Sequence, residues 1–174
     1  MKPLAETIRT IPDFPKKGIL FRDITTLLKD PDALHEAVAI FTHRYKNSRI
    51  DKVVCIESRG FILGSAIAVG LGAGFVPIRK KGKLPAEVVS ESYALEYGAD
   101  IIEMHVDALQ AGDRILLHDD LLATGGTMGA AINLVEKLHA DIIGISFMIE
   151  LSALNGRSHL RNYDVFSLIQ YENA

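Results

Sequence analysis

The sequence predicts an α/β chain with a mainly parallel central sheet, helices on both faces and one projecting hairpin. Short, continuously apolar runs at 53–56, 75–78, 115–117 and 142–149 suit strands covered on both sides. Helical segments at 61–71 and 128–138 alternate with these runs, as crossovers between parallel strands require. Residues 92–97 and 101–106 alternate polar and apolar about Gly98-Ala99-Asp100, which reads as a hairpin standing out from the parallel core.

From the N-terminus, Pro3 sits where a first helical turn tolerates proline, and Leu4, Ile8 and Ile11 would share a helical face. Pro12 to Gly18 reads as irregular, with a short strand at 19–21. Asp30 is placed to cap a helix that has Pro31 at its first position. Leu34, Ala37, Val38, Phe41 and Tyr45 mark the buried stripe of that helix. The segment 61–71 is apolar almost all round, so a buried helix ending near Gly72 is expected. Ligands of open parallel sheets bind beyond the C-terminal strand ends, which places the chemistry after Ile56, Ile78 and Leu117.

The 174 residues suit one domain, 1–174, with a sizeable core. The apolar stretches are too short and glycine-broken to span a membrane, and the charged N-terminal segment does not read as a secretory signal. With Cys55 as the one cysteine, no intrachain disulfide can form, which fits a reducing, cytoplasmic compartment. The net charge of −3 argues against nucleic acid as the main partner. Arg79, Lys80, Lys81 and Lys83 are a local exception, able to meet a polyanion or simply to be a solvated face. His35, His43, His105, His139 and His159 show no metal-ligand spacing.

The most informative stretch runs from Ile115 to Thr127: a buried strand, the adjacent Asp119 and Asp120, a small-residue loop and a helix start near Thr127. Backbone N–H groups of the loop 123–127 can approach an anion closely, helped by the helix N-terminus and the hydroxyls of Thr124 and Thr127. This suits a phosphate monoester, and the loop lacks the lysine of a nucleoside-triphosphate loop. Two carboxylates beside a phosphate cup make sense if they accept hydrogen bonds from ribose hydroxyls and face a cationic sugar carbon. The bland alternative is a capping aspartate and an ordinary glycine turn.

Asp119-Asp120-Leu121-Leu122-Ala123-Thr124-Gly125-Gly126-Thr127 resembles the phosphoribosyl pyrophosphate signature of the type I phosphoribosyltransferases, in the wording of the adenine-specific branch. Pro12-Asp13-Phe14-Pro15, Gly18, Phe21-Arg22-Asp23-Ile24, Glu57-Ser58-Arg59-Gly60-Phe61, Arg79-Lys80, Gly82-Lys83-Leu84-Pro85 and Tyr93-Ala94-Leu95-Glu96-Tyr97-Gly98 resemble the same family in order, over nearly the whole chain.

The resemblance implies an enzyme that joins adenine to phosphoribosyl pyrophosphate, giving AMP and pyrophosphate. It implies a small N-terminal hood over about 1–30 and a mobile catalytic hairpin over 84–106. Ala123, Thr124, Gly125, Gly126 and Thr127 would hold the 5′-phosphate, and Asp119 and Asp120 the ribose and the charge developing at C1′. Ser58, Arg59 and Gly60 would hold pyrophosphate, with a cis peptide between Glu57 and Ser58, and Arg79, Lys80 and Lys83 would neutralise it as it departs. Lys81 has no implied role. Glu96 would manage the proton of adenine and Tyr97 would close over the phosphoribosyl part. Leu20, Phe21, Arg22 and Leu151 would enclose the base. Magnesium would be held by the substrate and waters, with no direct protein ligand, and a homodimer is implied with Arg59 and 79–83 near its interface.

One residue departs from the family pattern. His118 stands where an aliphatic residue is usual, and strand alternation should turn it away from Asp119 into a buried, hydrogen-bonded position. The competing readings are a phosphoribosyltransferase for hypoxanthine or guanine, and a regulator that senses phosphoribosyl pyrophosphate without catalysis.

Overall fold

The computed structural model describes residues 3–95 and 98–173. A 3-10 turn at Leu4–Thr7 leads into β1 (Arg9–Pro12), which pairs antiparallel with β2 (Leu20–Asp23). The helical face expected over Leu4, Ile8 and Ile11 is therefore corrected. Leu4 and Ile8 are buried as expected, but residues from Arg9 onward find backbone partners in β2 and leave the helix. The strand expected at 19–21 is β2, displaced by one residue at its start and extended to Asp23.

After a single turn, α1 (Thr25–Leu28), comes α2 (Pro31–Tyr45), with the Asp30 carboxylate accepting from the backbone N–H groups of Asp32 and Ala33. Ala33, Ala37, Phe41 and Tyr45 are its buried residues, and Leu34 and Val38 are half-buried. The alternating unit follows: β3 (Lys52–Ile56), α3 (Gly60–Leu71), β4 (Gly74–Lys80), the hairpin β5 (Val88–Leu95) and β6 (Gly98–His105), β7 (Arg114–Leu122), α4 (Gly126–Lys137) and β8 (Asp141–Leu151). A further strand, β9 (Val165–Tyr171), was not expected. Ser167 and Gln170 interrupt its apolar pattern because they serve the buried carboxylate of Glu150, together with Arg157.

The seven-stranded order is β5-β6-β4-β3-β7-β8-β9. The five strands from β4 to β9 are parallel neighbours, and the hairpin joins antiparallel through Arg79↔Glu103 and Lys80↔Ile102. Helices α2 and α3 cover one face and α4 the other, each over its own apolar core. The chain passes from β3 to β4 on one side and returns to β7 on the other, so β3 and β7 flank the point where the strand order reverses. A crevice is expected there, beyond the strand ends.

The hairpin turn is also corrected. Gly98, Ala99 and Asp100 pair with Leu95, Ala94 and Tyr93 as part of β6 and so belong to the ladder, while residues 96–97 lie outside the described residues. The base of the hairpin is docked on α4, where Lys137 Nζ donates to Glu91 Oε2 at 2.5 Å and Asn133 to Glu91 Oε1 at 3.0 Å. Helix α3 differs from expectation as well. Leu63, Ile67 and Ala68 are buried, yet Ile62 and Val69 are 47% and 83% exposed on one helical face. Among the described residues no helix is long and apolar enough to cross a membrane.

Candidate active site

A cavity of about 670 Å³ opens at the C-terminal ends of β3, β4 and β7. Each strand delivers one kind of group to it: β3 the Glu57-Ser58-Arg59 turn, β4 the cations, and β7 the acidic pair. The Glu57–Ser58 peptide is cis. Gly60 starts α3 directly against β7, and a Cβ there would lie 2.9 Å from Asp119 Oδ1 and 3.2 Å from its Cα. Only glycine lets the helix start approach the acidic pair this closely.

Asp119 and Asp120 lie in the C-terminal half of β7, which runs on to Leu122, with little water around them. Burial pushes the Asp119 carboxyl well above the usual carboxylate range, and the neighbouring Asp120 charge pushes it further. Burial also raises Asp120, against the opposing pull of Arg59. Arg59 Nε lies 3.0 Å from Asp120 Oδ2. The contact is an ion pair without hydrogen-bond alignment, since among the described residues that oxygen has no hydrogen-bond partner. The pair is thus held in an environment that disfavours two negative charges until a ligand supplies hydroxyl donors or positive charge.

Beyond the pair, Ala123 to Gly125 turn into α4, with Gly125 in the left-handed region at φ 87°. A small cavity of about 70 Å³ is lined by Asp119, Leu121, Met128 and the whole loop from Ala123 to Thr127. The 12-residue α4 starts at this loop with no side-chain cap among the described residues, a natural seat for a phosphate.

Across the cavity stand Arg79, Lys80 and Lys83. Two of them are already paired. Arg79 Nε donates to Glu57 Oε2 at 2.7 Å, and Lys80 Nζ lies 3.0 Å from Asp100 Oδ2. Burial pushes Glu57 up, but Arg79 and a backbone N–H outweigh it and leave the carboxyl lowered. The hydrogen bond that Lys80 donates to Asp100 raises Lys80 and lowers Asp100. Lys81 does not line the cavity.

A second cleft, about 80 Å³, is lined by Leu20, Phe21, Arg22 and Leu151 together with Ile149 and Leu121. It shares Arg59 and Asp120 with the main cavity, and the Arg59 guanidinium lies 5.4 Å from the Phe21 ring centroid. Arg22 contributes to the lining while its guanidinium is held elsewhere, 3.9 Å from the Tyr171 centroid and 2.6 Å from Thr10 Oγ1.

The candidate residues fall together at these cavities, apart from Gly60, which stands behind the acidic pair, and Glu96 and Tyr97, which lie outside the described residues. His118 is fully buried, turned into the α2–α3 core, with Nδ1 2.9 Å from Ser146 Oγ and its ring 5.3 Å from Phe41. Burial lowers it to about 3, so it stays neutral. Sequence reasoning overlooked Tyr93, Asp100 and Leu121. Leu121 lines all three cavities, and its place between the acidic pair and the glycine loop was the available signal. Among the described residues no three His, Cys, Asp or Glu side chains converge to hold a metal.

The phosphoribosyl transferase domain family matches residues 25–173. The chain is 58% identical to an adenine phosphoribosyltransferase of Halothermothrix orenii, over 96% of this chain and 98% of that one. It is 54% identical to one of a Methylobacterium species, over 99% and 96%. The fold superposes on the crystal structure of the enzyme of that name from Thermoanaerobacter pseudethanolicus with a TM-score of 0.93, at 48% identity and 97% and 98% coverage. It also superposes on the Saccharomyces cerevisiae enzyme, complexed with adenine and an imino-altritol bisphosphate, with a TM-score of 0.91, at 40% identity and 95% and 96% coverage.

Proposed function

The chain belongs to the phosphoribosyltransferase family, among the adenine phosphoribosyltransferases that make AMP and pyrophosphate in purine salvage, and we propose how its residues divide that work. Ala123, Thr124, Gly125, Gly126 and Thr127 hold the 5′-phosphate with backbone N–H groups, hydroxyls and the helix N-terminus. Asp119 and Asp120 accept from the 2′- and 3′-hydroxyls and face C1′ as it becomes positive. Ser58, Arg59 and Gly60, with Arg79, Lys80 and Lys83, receive the pyrophosphate as its bond to C1′ breaks. Adenine stacks on Phe21, packs against Leu151, and meets the backbone beside Leu20 and the edge of Arg22. Glu96 takes the base proton as the ring nitrogen attacks C1′, and Tyr97 covers the sugar; both roles rest on the resemblance alone.

The observation that carries this reading is the shared lining of the two clefts. Arg59 and Asp120 border both the large charged cavity and the apolar cleft, so a base in one meets a sugar carbon in the other at the acidic pair. Positioning and preorganised charge then supply most of the acceleration.

Magnesium belongs with the pyrophosphate, carried by substrate oxygens and waters. The hard oxygens of Asp119 and Asp120 fit such an ion as acceptors for its waters. When bound, it offsets charge on the leaving group. Residues 1–30 serve as the hood and 84–106 as the catalytic hairpin of one domain, 1–174. The exposed Ile62, Val69 and Phe75, beside Phe61, favour a homodimer through α3 and β4. A buried Cys55 without a disulfide suits a cytoplasmic protein.

A nucleobase panel with phosphoribosyl pyrophosphate and magnesium, followed by pyrophosphate release, tests the reading. Turnover of adenine with little of hypoxanthine or guanine is expected. Turnover of the oxo-purines alone would overturn the base-cleft assignment. Binding of phosphoribosyl pyrophosphate without turnover of any base would favour a sensor.

A further inference from the structure

Glu103 is a carboxylate in the middle of β6, only 5% exposed, and no step of the transfer uses it. It stands directly opposite Arg79 in the β4–β6 pairing. A buried carboxylate opposite an arginine would ordinarily take that arginine as its partner. Here Arg79 turns away to Glu57. Glu103 instead accepts the backbone N–H of Gly82 on Oε2 at 2.8 Å and the hydroxyl of Ser90 on Oε1 at 3.3 Å.

Gly82 is the reversal point of the turn that carries the cations, at φ 78°. The same turn is closed by Lys83 N–H to the Lys80 carbonyl at 3.2 Å, and it is sewn to β6 by Lys81 N–H to the Ile101 carbonyl at 3.0 Å. The Arg79 guanidinium adds a contact to the Lys83 carbonyl at 3.4 Å. Glu103 is thus the side-chain anchor of a turn whose flanks, Lys80 and Lys83, both line the large cavity. A charge-assisted bond from a backbone N–H to a buried carboxylate is short-ranged and directional, so it restrains the turn more than a surface ion pair would.

We infer that Glu103 is a positioning residue for pyrophosphate binding: it fastens the Lys80–Lys83 turn to the hairpin strand and holds both ammonium groups towards the cavity. The inference rests on the reading that Lys80 and Lys83 meet the pyrophosphate. The group that matters is the acceptor oxygen at Gly82. The negative charge itself works against anion binding and serves only to strengthen that bond.

The test is steady-state kinetics of Glu103→Ala, Glu103→Asp, Glu103→Gln and Lys83→Ala, with calorimetric binding of inorganic pyrophosphate and magnesium to each. Glu103→Ala, and Glu103→Asp whose shorter side chain falls short of Gly82, are expected to raise KM for phosphoribosyl pyrophosphate and Kd for pyrophosphate about tenfold. KM for adenine should stay within about twofold, because the base cleft shares no residue with the turn. Glu103→Gln keeps an oxygen for Gly82 and should restore both constants. If Glu103→Ala does not fold, the contrast between Glu103→Asp and Glu103→Gln decides. Wild-type constants in Glu103→Asp while Lys83→Ala is impaired would overturn the inference and leave the pyrophosphate reading standing. Equal impairment of Glu103→Gln and Glu103→Asp would overturn it too. Wild-type constants in Lys83→Ala would overturn the pyrophosphate reading and the inference together.

Discussion

The two walls of the large cavity solve opposite electrostatic problems. On the β4 wall two of the three cations are balanced before any ligand arrives, Arg79 by Glu57 and Lys80 by Asp100. On the β7 wall two carboxylates are buried side by side, with Arg59 as their shared counter-charge, and both hold protons more tightly than usual. The cation wall is therefore stable as it stands and must exchange partners when an anion binds. The acidic wall is costly when fully ionised and gains most from hydroxyl donors or developing positive charge. Binding and catalysis are divided along that line.

Breaking the acidic wall should have the largest effect. The double change Asp119→Asn/Asp120→Asn is expected to lower kcat for adenine by about 10²–10³-fold. The same protein should melt at a higher temperature than wild type at neutral pH, because it no longer buries ionised carboxyls. Glu57→Gln on the other wall should do the reverse, melting lower because Arg79 loses a partner that is ionised more readily than usual.

The next effect is on pH. The raised carboxyls bind phosphoribosyl pyrophosphate in their ionised form, so binding to the free enzyme should weaken as pH falls through their elevated values. The acid limb of kcat/KM should therefore lie above the ordinary carboxylate value of about 4. A limb at that ordinary value would show that the pair titrates like exposed aspartates.

A smaller loss, about tenfold in kcat/KM, is expected for Gly60→Ala, whose Cβ would meet Asp119 at 2.9 Å and displace it from its neighbour. The smallest effect concerns the hood. Hydrogen bonds from Thr25 and Arg9 lower Asp23 from 3.8 to about 2. A lowered carboxyl stabilises the fold above its unfolded value and loses that contribution as pH falls through its folded value. Asp23→Asn should thus melt a few degrees below wild type at pH 7 and converge on it as pH falls below about 2, with turnover little changed. His118, neutral because burial lowers it to about 3, should give no ring titration by NMR between about pH 5 and 8.

The acidic wall was legible in the sequence because it is contiguous: apolar strand, Asp119-Asp120, small loop and helix follow one another within a few residues. His118 was legible from strand alternation alone. The cation wall was visible as a charge run, but its balance was not, since Lys80 meets Asp100 and Arg79 meets Glu57 only through strand pairing. Asp100 misled the reading of the hairpin. Gly98-Ala99-Asp100 has turn chemistry, yet the Asp100 carboxylate takes the Ile101 N–H at 2.9 Å and Lys80, and its backbone stays in the ladder opposite Tyr93. The base cleft joins Leu20–Arg22 to Leu151 across most of the chain, and only family resemblance brought those residues together. At the N-terminus, the spacing of Leu4, Ile8 and Ile11 satisfied a helix as well as it did the observed turn and strand.

The division between the walls is tested most directly by calorimetric binding of pyrophosphate with magnesium to Asp119→Asn/Asp120→Asn and to Arg79→Ala, set beside their turnover of adenine. We expect the acidic-pair variant to bind pyrophosphate within about threefold of wild type while its turnover collapses, and Arg79→Ala to lose about tenfold or more in binding. Loss of pyrophosphate binding in the acidic-pair variant in proportion to its lost turnover would contradict the division.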